Sequence, residues 1–151
     1  VLGNGRPFFA KIINPKKRNR LLRKSSDLDV VSLSELRKLS VQPKGSVPFK
    51  SKVSITIDTK KSITSSTLKI LSILKNTEII NQTKNKKNNP KRIYDIHYKK
   101  LGKTTFLLDL FVDGGISIKS FVENSDLTPN ISELLENQCL CKKLDFKNII
   151  V

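Results

Sequence analysis

The chain has 151 residues, enough for one domain with a hydrophobic core, although only 37% of them are hydrophobic. Its 29 Lys and Arg residues against 13 Asp and Glu give a net charge of +16, which favours a polyanionic partner: nucleic acid, or less often an anionic membrane surface. A codon bias toward Lys, Asn and Ile would also raise the charge, but it would not cluster the basic residues. No stretch approaches the roughly 20 apolar residues of a membrane span.

The first part of the chain combines a glycine turn, a predicted strand and a basic segment. It begins at Val1 and contains no methionine, and its opening Gly-x-Gly turn is typical of a corner inside a larger protein rather than of a natural start. Residues 7–13 predict a strand, and residues 16–24 hold six basic residues in nine. Residues 32–39 predict a short helix, with Ser32 as N-cap and Glu35 completing a capping box.

The middle of the chain predicts two strands, a helix and two loops. Residues 41–52 contain two prolines and a glycine and predict a loop, whereas residues 53–58 alternate like a half-buried strand. Residues 78–82 predict a short strand, and residues 83–90 predict a basic loop. Residues 65–75 predict a helix with a wide apolar face formed by Leu68, Ile70, Leu71, Ile73 and Leu74.

The last part predicts a hairpin, a turn, a short helix and a closing strand. Residues 92–99 and 104–112 read as strands joined by the hairpin loop 100–103. Asp113-Gly114-Gly115 predicts a turn into residues 116–122, whose alternation would separate Ile116 and Ile118 from Ser117 and Lys119. Thr128 before Pro129 predicts the N-cap of a helix that reaches residue 136. Residues 139–146 and 147–151 predict a closing strand and a tail.

The cysteines and the order of the predicted elements limit which class of protein this can be. Cys139 and Cys141 alternate in an apolar strand, which indicates reduced, packed thiols of a cytoplasmic protein. Two thiols and one histidine cannot by themselves complete a structural zinc site. Strands dominate without regular βαβ alternation, so the sequence predicts an α+β fold with a largely antiparallel sheet.

Four segments and one pair of tyrosines are candidates for chemistry, and each has a structural alternative. Arg6 beside glycines can hold a phosphate bidentately, or the segment is only a turn. The basic segments 16–24 and 84–92 either track phosphates or are solvated loops. Tyr94 and Tyr98, predicted on one side of a strand, either stack on a base or pack in the core. Lys119, among apolar and small neighbours, is the counter-ion of a buried carboxylate or an ordinary surface lysine.

In this order the segments resemble the C-terminal half of the catalytic domain of the archaeal and eukaryotic tRNA pseudouridine synthases that modify positions 54 and 55 in the TΨC loop. The resemblance covers essentially the whole chain, although Lys84-Asn85 replaces the usual Thr-Pro step and no tyrosine stands in residues 53–57, where Phe49 is the nearest aromatic residue. The matching segments are Gly3-Asn4-Gly5-Arg6-Pro7-Phe8, Pro15-Lys16-Lys17-Arg18, the Gln-led set Gln82, Lys87, Lys91 and Arg92, Gly115-Ile116-Ser117-Ile118-Lys119, and Thr128-Pro129-Asn130-Ile131-Ser132-Glu133-Leu134-Leu135. In the family, the segment that matches Gly115 to Lys119 comes before the next helix.

The resemblance implies a pseudouridine-synthase-like α+β fold, a largely antiparallel sheet flanked by a few helices. It implies isomerisation of a flipped uridine in tRNA without a metal or organic cofactor. The family's catalytic aspartate precedes the G-x-G-R-P-F segment, so here it would lie upstream of Val1, as would an N-terminal RNA-binding domain with zinc-ligating cysteines. The 151 residues would then lack the nucleophile. The protein is expected to be a cytoplasmic monomer without membrane contact.

The resemblance also implies roles for individual residues. Lys119 would pair with the upstream aspartate, Ile118 would pack beside the target base, and Arg6 would hold the aspartate loop or a phosphate. The remaining substrate contacts would come from Gly3, Gly5, Lys16, Lys17, Arg18, Gln82, Lys87, Lys91 and Arg92. Two other readings stay open: a non-catalytic RNA-binding module like a ribosomal protein, and an interaction domain whose charge is compositional. Convergence of Arg6 and Lys119 in one basic cleft would favour the enzyme.

Overall fold

The computed structural model describes residues 8–11, 13–14, 26–28, 31–33, 39–42, 44–45, 47–82, 90–123 and 126–151. They fall into two units, Phe8–Val47 and Pro48–Val151. In the smaller unit, strands β1 (Ser26–Leu28) and β2 (Val31–Leu33) pair antiparallel.

Two predictions for the smaller unit are wrong at the residues that the structure describes. Ser32 lies inside β2 and pairs with Asp27, so it caps no helix. The β-branched Val31 favours the extended backbone there. Phe8–Lys11 belong to no strand, since no described residue pairs with their backbone.

The larger unit is built on one six-stranded antiparallel sheet, with strand order β7-β4-β5-β6-β3-β8. The predicted α+β class with a largely antiparallel sheet is confirmed. The strands are β3 (Lys50–Thr59), β4 (Glu78–Asn81), β5 (Lys91–Lys100), β6 (Thr105–Asp113), β7 (Leu127–Thr128) and β8 (Cys139–Ile150).

Two strands of the sheet, β3 and β8, are longer than predicted. β3 begins at Lys50, inside the predicted loop, because β6 and β8 both extend far enough to pair with Lys50 and Lys52. β8 is one continuous strand of 12 residues where a strand and a tail were predicted. Its pairing with β3 continues past two register shifts, which bend the strand without ending it.

One face of this sheet, the inner face, carries the hydrophobic core. Val53, Ile55 and Ile57 of β3 alternate with polar residues and are at most 2% exposed. The short helices pack on the same side and contribute Leu68, Phe121 and Ile131. The opposite side, the outer face, therefore carries the polar positions of the alternating strands, including Lys52 and Asp109.

The helix predicted for residues 65–75 exists, but its geometry differs from the prediction. One α-helical turn, α1 (Ser65–Leu68), continues into a 3-10 helix (Lys69–Leu74). A 3-10 helix repeats every three residues, so Leu68, Leu71 and Leu74 form one buried row. Ile70 and Ile73 are 43% and 58% exposed, and their predicted place in the apolar face is wrong.

The two remaining helices also begin elsewhere than predicted. α2 (Ile118–Glu123) replaces the expected alternating stretch and buries Ile118, Phe121 and Val122 at helical spacing. α3 (Ile131–Leu134) is capped by Asn130 rather than Thr128, which lies in β7. The Asn130 side chain accepts a hydrogen bond from the Glu133 N–H at 2.9 Å and donates one to the Leu127 carbonyl at 3.1 Å, so its buried amide is satisfied.

The cysteines behave as packed thiols, as predicted. Both are free; Cys139 is 2% exposed in the core, and Cys141 is half-buried beside it. Burial raises the pKa of both thiols, and the Glu123 carboxylate raises that of Cys141 further, which keeps them protonated near neutral pH. Among the helices that the structure describes, none is long and apolar enough to cross a membrane.

Candidate nucleic-acid interface

The turn between β6 and α2 is the best-defined structural feature among the predicted site segments. Gly115 has a φ of +89°, a conformation that side-chain-bearing residues rarely adopt. A Cβ on Gly114 would lie 2.4 Å from the Phe49 ring, and the Gly114 N–H donates to the Phe49 carbonyl at 2.7 Å. Both glycines are therefore required, one for its backbone angle and one for the close approach of Phe49.

The packing of Phe49 against Gly114 makes a testable prediction. We expect Gly114→Ala to lower the free energy of unfolding by about 1–3 kcal/mol, because the ring or the backbone must move to admit the methyl group. Gly102→Ala is the matched control, since its Cβ would meet only Thr105 at 3.9 Å, an ordinary contact. Urea denaturation measures both variants. Equal losses for the two variants would contradict the proposed packing.

The carboxylate of Asp113 fastens this turn to β5. Its Oδ2 accepts a hydrogen bond from the Arg92 backbone N–H at 2.8 Å, and its Oδ1 accepts one from the Tyr94 hydroxyl at 2.9 Å. Both oxygens are thus occupied by donors from the neighbouring strand. The turn is held at its start by Asp113 and at Gly114 by Phe49, so α2 begins from a fixed position.

Tyr94 and Tyr98 do not lie on the same side of the sheet. The pairing of β5 with β6 shifts register between Ile93 and Asp95, so Tyr94 occupies a β-bulge. Tyr98 packs against the core, whereas the Tyr94 ring contacts the ring of Phe111 with centroids 5.3 Å apart. The prediction that the two tyrosines share a side is wrong because a bulge interrupts the two-residue period.

Two lysines of β3 lie over these rings. The Lys50 Nζ is 4.0 Å from the Tyr94 centroid and 5.8 Å from that of Phe111, and the Lys52 Nζ is 6.0 Å from the Phe111 centroid. The ring faces attract the ammonium groups. The ion pairs found in the described part of the chain involve other cations. We call Lys50, Lys52, Tyr94 and Phe111 the outer-face cluster.

Two of the predicted substrate-binding residues lie close to the glycine turn. A Cβ on Gly115 would lie 3.9 Å from the Lys91 Nζ. Arg92 pairs with Glu78 at 3.0 Å while about half exposed, so the pair is weakened by solvent. The contacts of Gln82 are with another segment: its side chain donates to the Thr128 hydroxyl, and its N–H donates to the Asp126 carbonyl at 2.9 Å.

Lys119 is the second residue of α2, and its side chain is 73% exposed. Its Nζ lies 3.8 Å from Oε2 of Glu123, one helical turn later. Ion pairs at this i,i+4 spacing contribute only about 0.3–0.5 kcal/mol, and Lys preceding Glu is the weaker order. The other Glu123 oxygen, Oε1, accepts the Cys141 N–H at 2.9 Å. The ammonium group is thus accessible to another anion, and its role as counter-ion to an aspartate stays a prediction.

The other predicted site residues are either buried or lie outside the described ranges. Ile118 is 4% exposed and belongs to the core cluster, so its contact with a base stays a prediction. The remaining predicted residues, for which the structure describes nothing, are Gly3, Gly5, Arg6, Lys16, Lys17, Arg18 and Lys87. Convergence of Arg6 with Lys119 is therefore also still a prediction. Within the described ranges, no three His, Cys, Asp or Glu side chains are placed to hold a metal ion.

Sequence reasoning missed most of the outer-face cluster. Lys50 and Lys52 fell in the predicted loop, although their spacing of two is the signal that places both on one face of a strand. Phe111 and Asp113 share that signal in β6. The bulge at Tyr94 has no comparable signal in the sequence.

The family model described as "Pus10, C-terminal" matches residues 1–149. The chain belongs to this family. The resemblance inferred from the motifs is thus confirmed. Three relatives named tRNA pseudouridine synthase Pus10 match essentially the whole chain: that of Nitrosopumilus maritimus is 38% identical, that of Cenarchaeum symbiosum 32% and that of Pyrococcus furiosus 26%.

The chain spans only 39%, 37% and 43% of the length of these three relatives, while they cover 100%, 100% and 99% of it. Among solved structures, an H/ACA RNP bound to a substrate RNA containing 2'-deoxyuridine includes a chain that is 12% identical, with a TM-score of 0.49. A Cbf5-Nop10-Gar1 complex includes one that is 13% identical, also at 0.49. Each covers 66% of this chain, and this chain covers 27% and 29% of them.

Proposed function

We propose that this chain is the C-terminal part of the catalytic domain of a tRNA pseudouridine synthase acting on uridine 54 or 55 of the TΨC loop. The observation that carries the proposal is the rigid Asp113-Gly114-Gly115 turn, which leads into α2 with the exposed ammonium group of Lys119. The match of the Pus10 C-terminal family to residues 1–149 supports the same assignment.

In this reaction the bond between N1 of uracil and C1′ of the ribose breaks, the base rotates, and a bond from C5 to C1′ forms. N1 gains a proton and C5 loses one, so the product is an isomer and no redox cofactor is required. A catalytic aspartate must be ionised to act as nucleophile or base. Lys119 would hold it so, because a nearby cation lowers the pKa of a carboxyl group.

The proposal assigns the aspartate to a segment upstream of Val1 and assigns the RNA contacts to basic side chains of this chain. The family relatives are more than twice as long as this chain, which supports a contribution from further residues. Arg6 would hold the aspartate loop, and Lys91 and Arg92 would contact RNA beside the glycine turn. Phosphate contacts of this kind position the RNA, while the flipped base enters the pocket. The partner is tRNA, and the protein acts as a cytoplasmic monomer.

The proposal is tested by comparing two proteins on one tRNA transcript. We expect a chain extended upstream to include the catalytic segment to form pseudouridine at position 54 or 55, and the 151-residue chain to form none. Mass spectrometry of nuclease digests measures the product, and a transcript carrying cytidine at both positions is the control. Turnover by the 151-residue chain would place the nucleophile within it. Absence of product from the extended chain would overturn the synthase assignment.

A non-catalytic RNA-binding module is the second candidate, and the outer-face cluster favours it. Lysines and aromatic rings on an exposed sheet face are sufficient to bind RNA without any reaction. Binding of the transcript by the extended chain without product would select this candidate.

A further inference from the structure

We propose that the outer-face cluster and the depression beside it bind an unpaired nucleotide segment of RNA. This inference depends on the proposed function only in taking RNA as the ligand, and it requires no turnover. Of the cluster, only Tyr94 was a candidate from the sequence; neither the family match nor the predicted site residues assign Lys50, Lys52 or Phe111 to binding.

The depression has the size and lining that one base requires. It has a volume of about 300 Å³ and opens on the outer face, where the half-buried Phe111 ring forms part of its lining. Its polar lining consists of Lys52, Asp95, His97, Asp109 and Lys147. A single nucleobase is smaller than this volume, an aromatic ring offers a stacking surface, and polar groups at the rim can bond to a base edge.

The charges around the depression are unequally compensated. Asp95 Oδ1 lies 2.9 Å from the Lys75 Nζ, an ion pair without hydrogen-bond geometry, and its Oδ2 lies 3.1 Å from Nε2 of His97. Lys75 lowers the pKa of Asp95, so this carboxyl group is ionised at neutral pH. Lys147 lies 3.6 Å from Asp145. Lys50 and Lys52 have no such carboxylate among the described residues, so their charge is available to an anion.

The spacing of these two lysines suits a nucleic-acid backbone. Residues i and i+2 of a strand lie about 6.6 Å apart on one face, which is comparable to the separation of successive phosphates in an extended single strand. The rings of Tyr94 and Phe111 hold the ammonium groups over the outer face. Lysine binds phosphate as a point charge, so two neighbouring phosphates can be held while the base between them enters the depression.

The occupant is unpaired rather than double-stranded RNA. In a duplex the bases are stacked and paired, so neither their faces nor their pairing edges can reach an aromatic ring that lines a depression. A flat anionic membrane would bring headgroup charge against Asp95 and Asp109 as well as against Lys52, whereas RNA can place its phosphates at the lysines and a neutral base edge at these carboxylates. The same carboxylates can accept hydrogen bonds from base N–H groups.

A double substitution tests the proposal in the 151-residue chain. We expect K50Q/K52Q to weaken binding of a fluorescent single-stranded uridine oligonucleotide by about tenfold. The slope of log affinity against log salt concentration should also fall in magnitude by about 1.4, since each phosphate contact on a single strand contributes about 0.7. Fluorescence anisotropy across a salt series measures both quantities.

The matched control is K60Q/K61Q, which removes the same charge beyond the other end of β3. Its positions are about 30 Å away at strand spacing, and both side chains are exposed. We expect less than about a threefold change in affinity and almost no change in slope. Thermal denaturation of both variants checks that the fold is retained. Equal effects of the two double substitutions on oligonucleotide binding would overturn the proposal.

A third variant separates stacking from charge. Phe111→Leu keeps an apolar side chain but removes the ring, so we expect about tenfold weaker binding of the single strand with an unchanged salt slope. An RNA duplex of equal length should bind the three variants alike. If the substitutions weaken duplex binding as strongly as single-strand binding, the assignment to unpaired RNA is overturned. The same holds if they weaken binding to anionic vesicles but not to the single strand. If these binding results are obtained but the extended chain forms no pseudouridine, only the proposed function is contradicted.

Discussion

Replacing Lys119 by alanine in a chain extended upstream is expected to lower pseudouridine turnover by about 10²–10³-fold. The affinity for tRNA should change by less than about threefold, because a single exposed lysine adds one phosphate contact at most. The physical reason is the accessible ammonium group: its weak pair with Glu123 leaves it able to keep a catalytic carboxyl ionised. Single-turnover assays and separate binding measurements distinguish the two effects.

Two further variants make the Lys119 experiment decisive. Lys119→Arg keeps the positive charge and should retain more activity than the alanine variant. Lys103→Ala removes another exposed lysine, from the β5–β6 hairpin, and should leave turnover unchanged. If Lys119→Ala and Lys103→Ala have the same turnover, Lys119 is an ordinary surface lysine, and its assignment as counter-ion is wrong.

Replacing Leu74 by alanine is expected to lower the free energy of unfolding by about 2–5 kcal/mol, the usual loss for a fully buried leucine. Leu74 is 0% exposed and ends the 3-10 helix that packs on the inner face. The adjacent Ile73 is 58% exposed, so Ile73→Ala should change stability by less than about 0.5 kcal/mol. Urea denaturation measures both. An α-helix with the wide predicted face would instead give a substantial loss at both positions.

The strands could be predicted because their pattern and their turns agree. β5 and β6 follow the alternation of residues 92–99 and 104–112, and the loop between them contains Gly102. Binary patterning sets which face of such a strand is buried, and a hairpin turn sets its register. The candidate Lys119 followed from the motif alone, while Lys91 beside Gly115 could be seen only in the folded chain.

The helices could not be predicted to the same accuracy, because short segments satisfy two periods at once. Ile118, Phe121 and Val122 fit a helix, but Ile116 and Ile118 also fit a strand. Leu68, Leu71 and Leu74 are compatible with α-helical spacing, and the core contact selects the 3-10 form. Asn130 replaced Thr128 as cap because its amide could satisfy both a donor and an acceptor inside the core.

By itself, the sequence determined the antiparallel α+β class, the strongly basic character, the packed thiols and the family, because these depend on composition, alternation and motif order along the chain. Only the tertiary structure decided which side chains share a surface. The bulge at Tyr94 turns one tyrosine to the outer face and brings it to Phe111 and Lys50. Such bulges arise from how two strands pair, and pairing between distant segments is a property of the fold rather than of either segment.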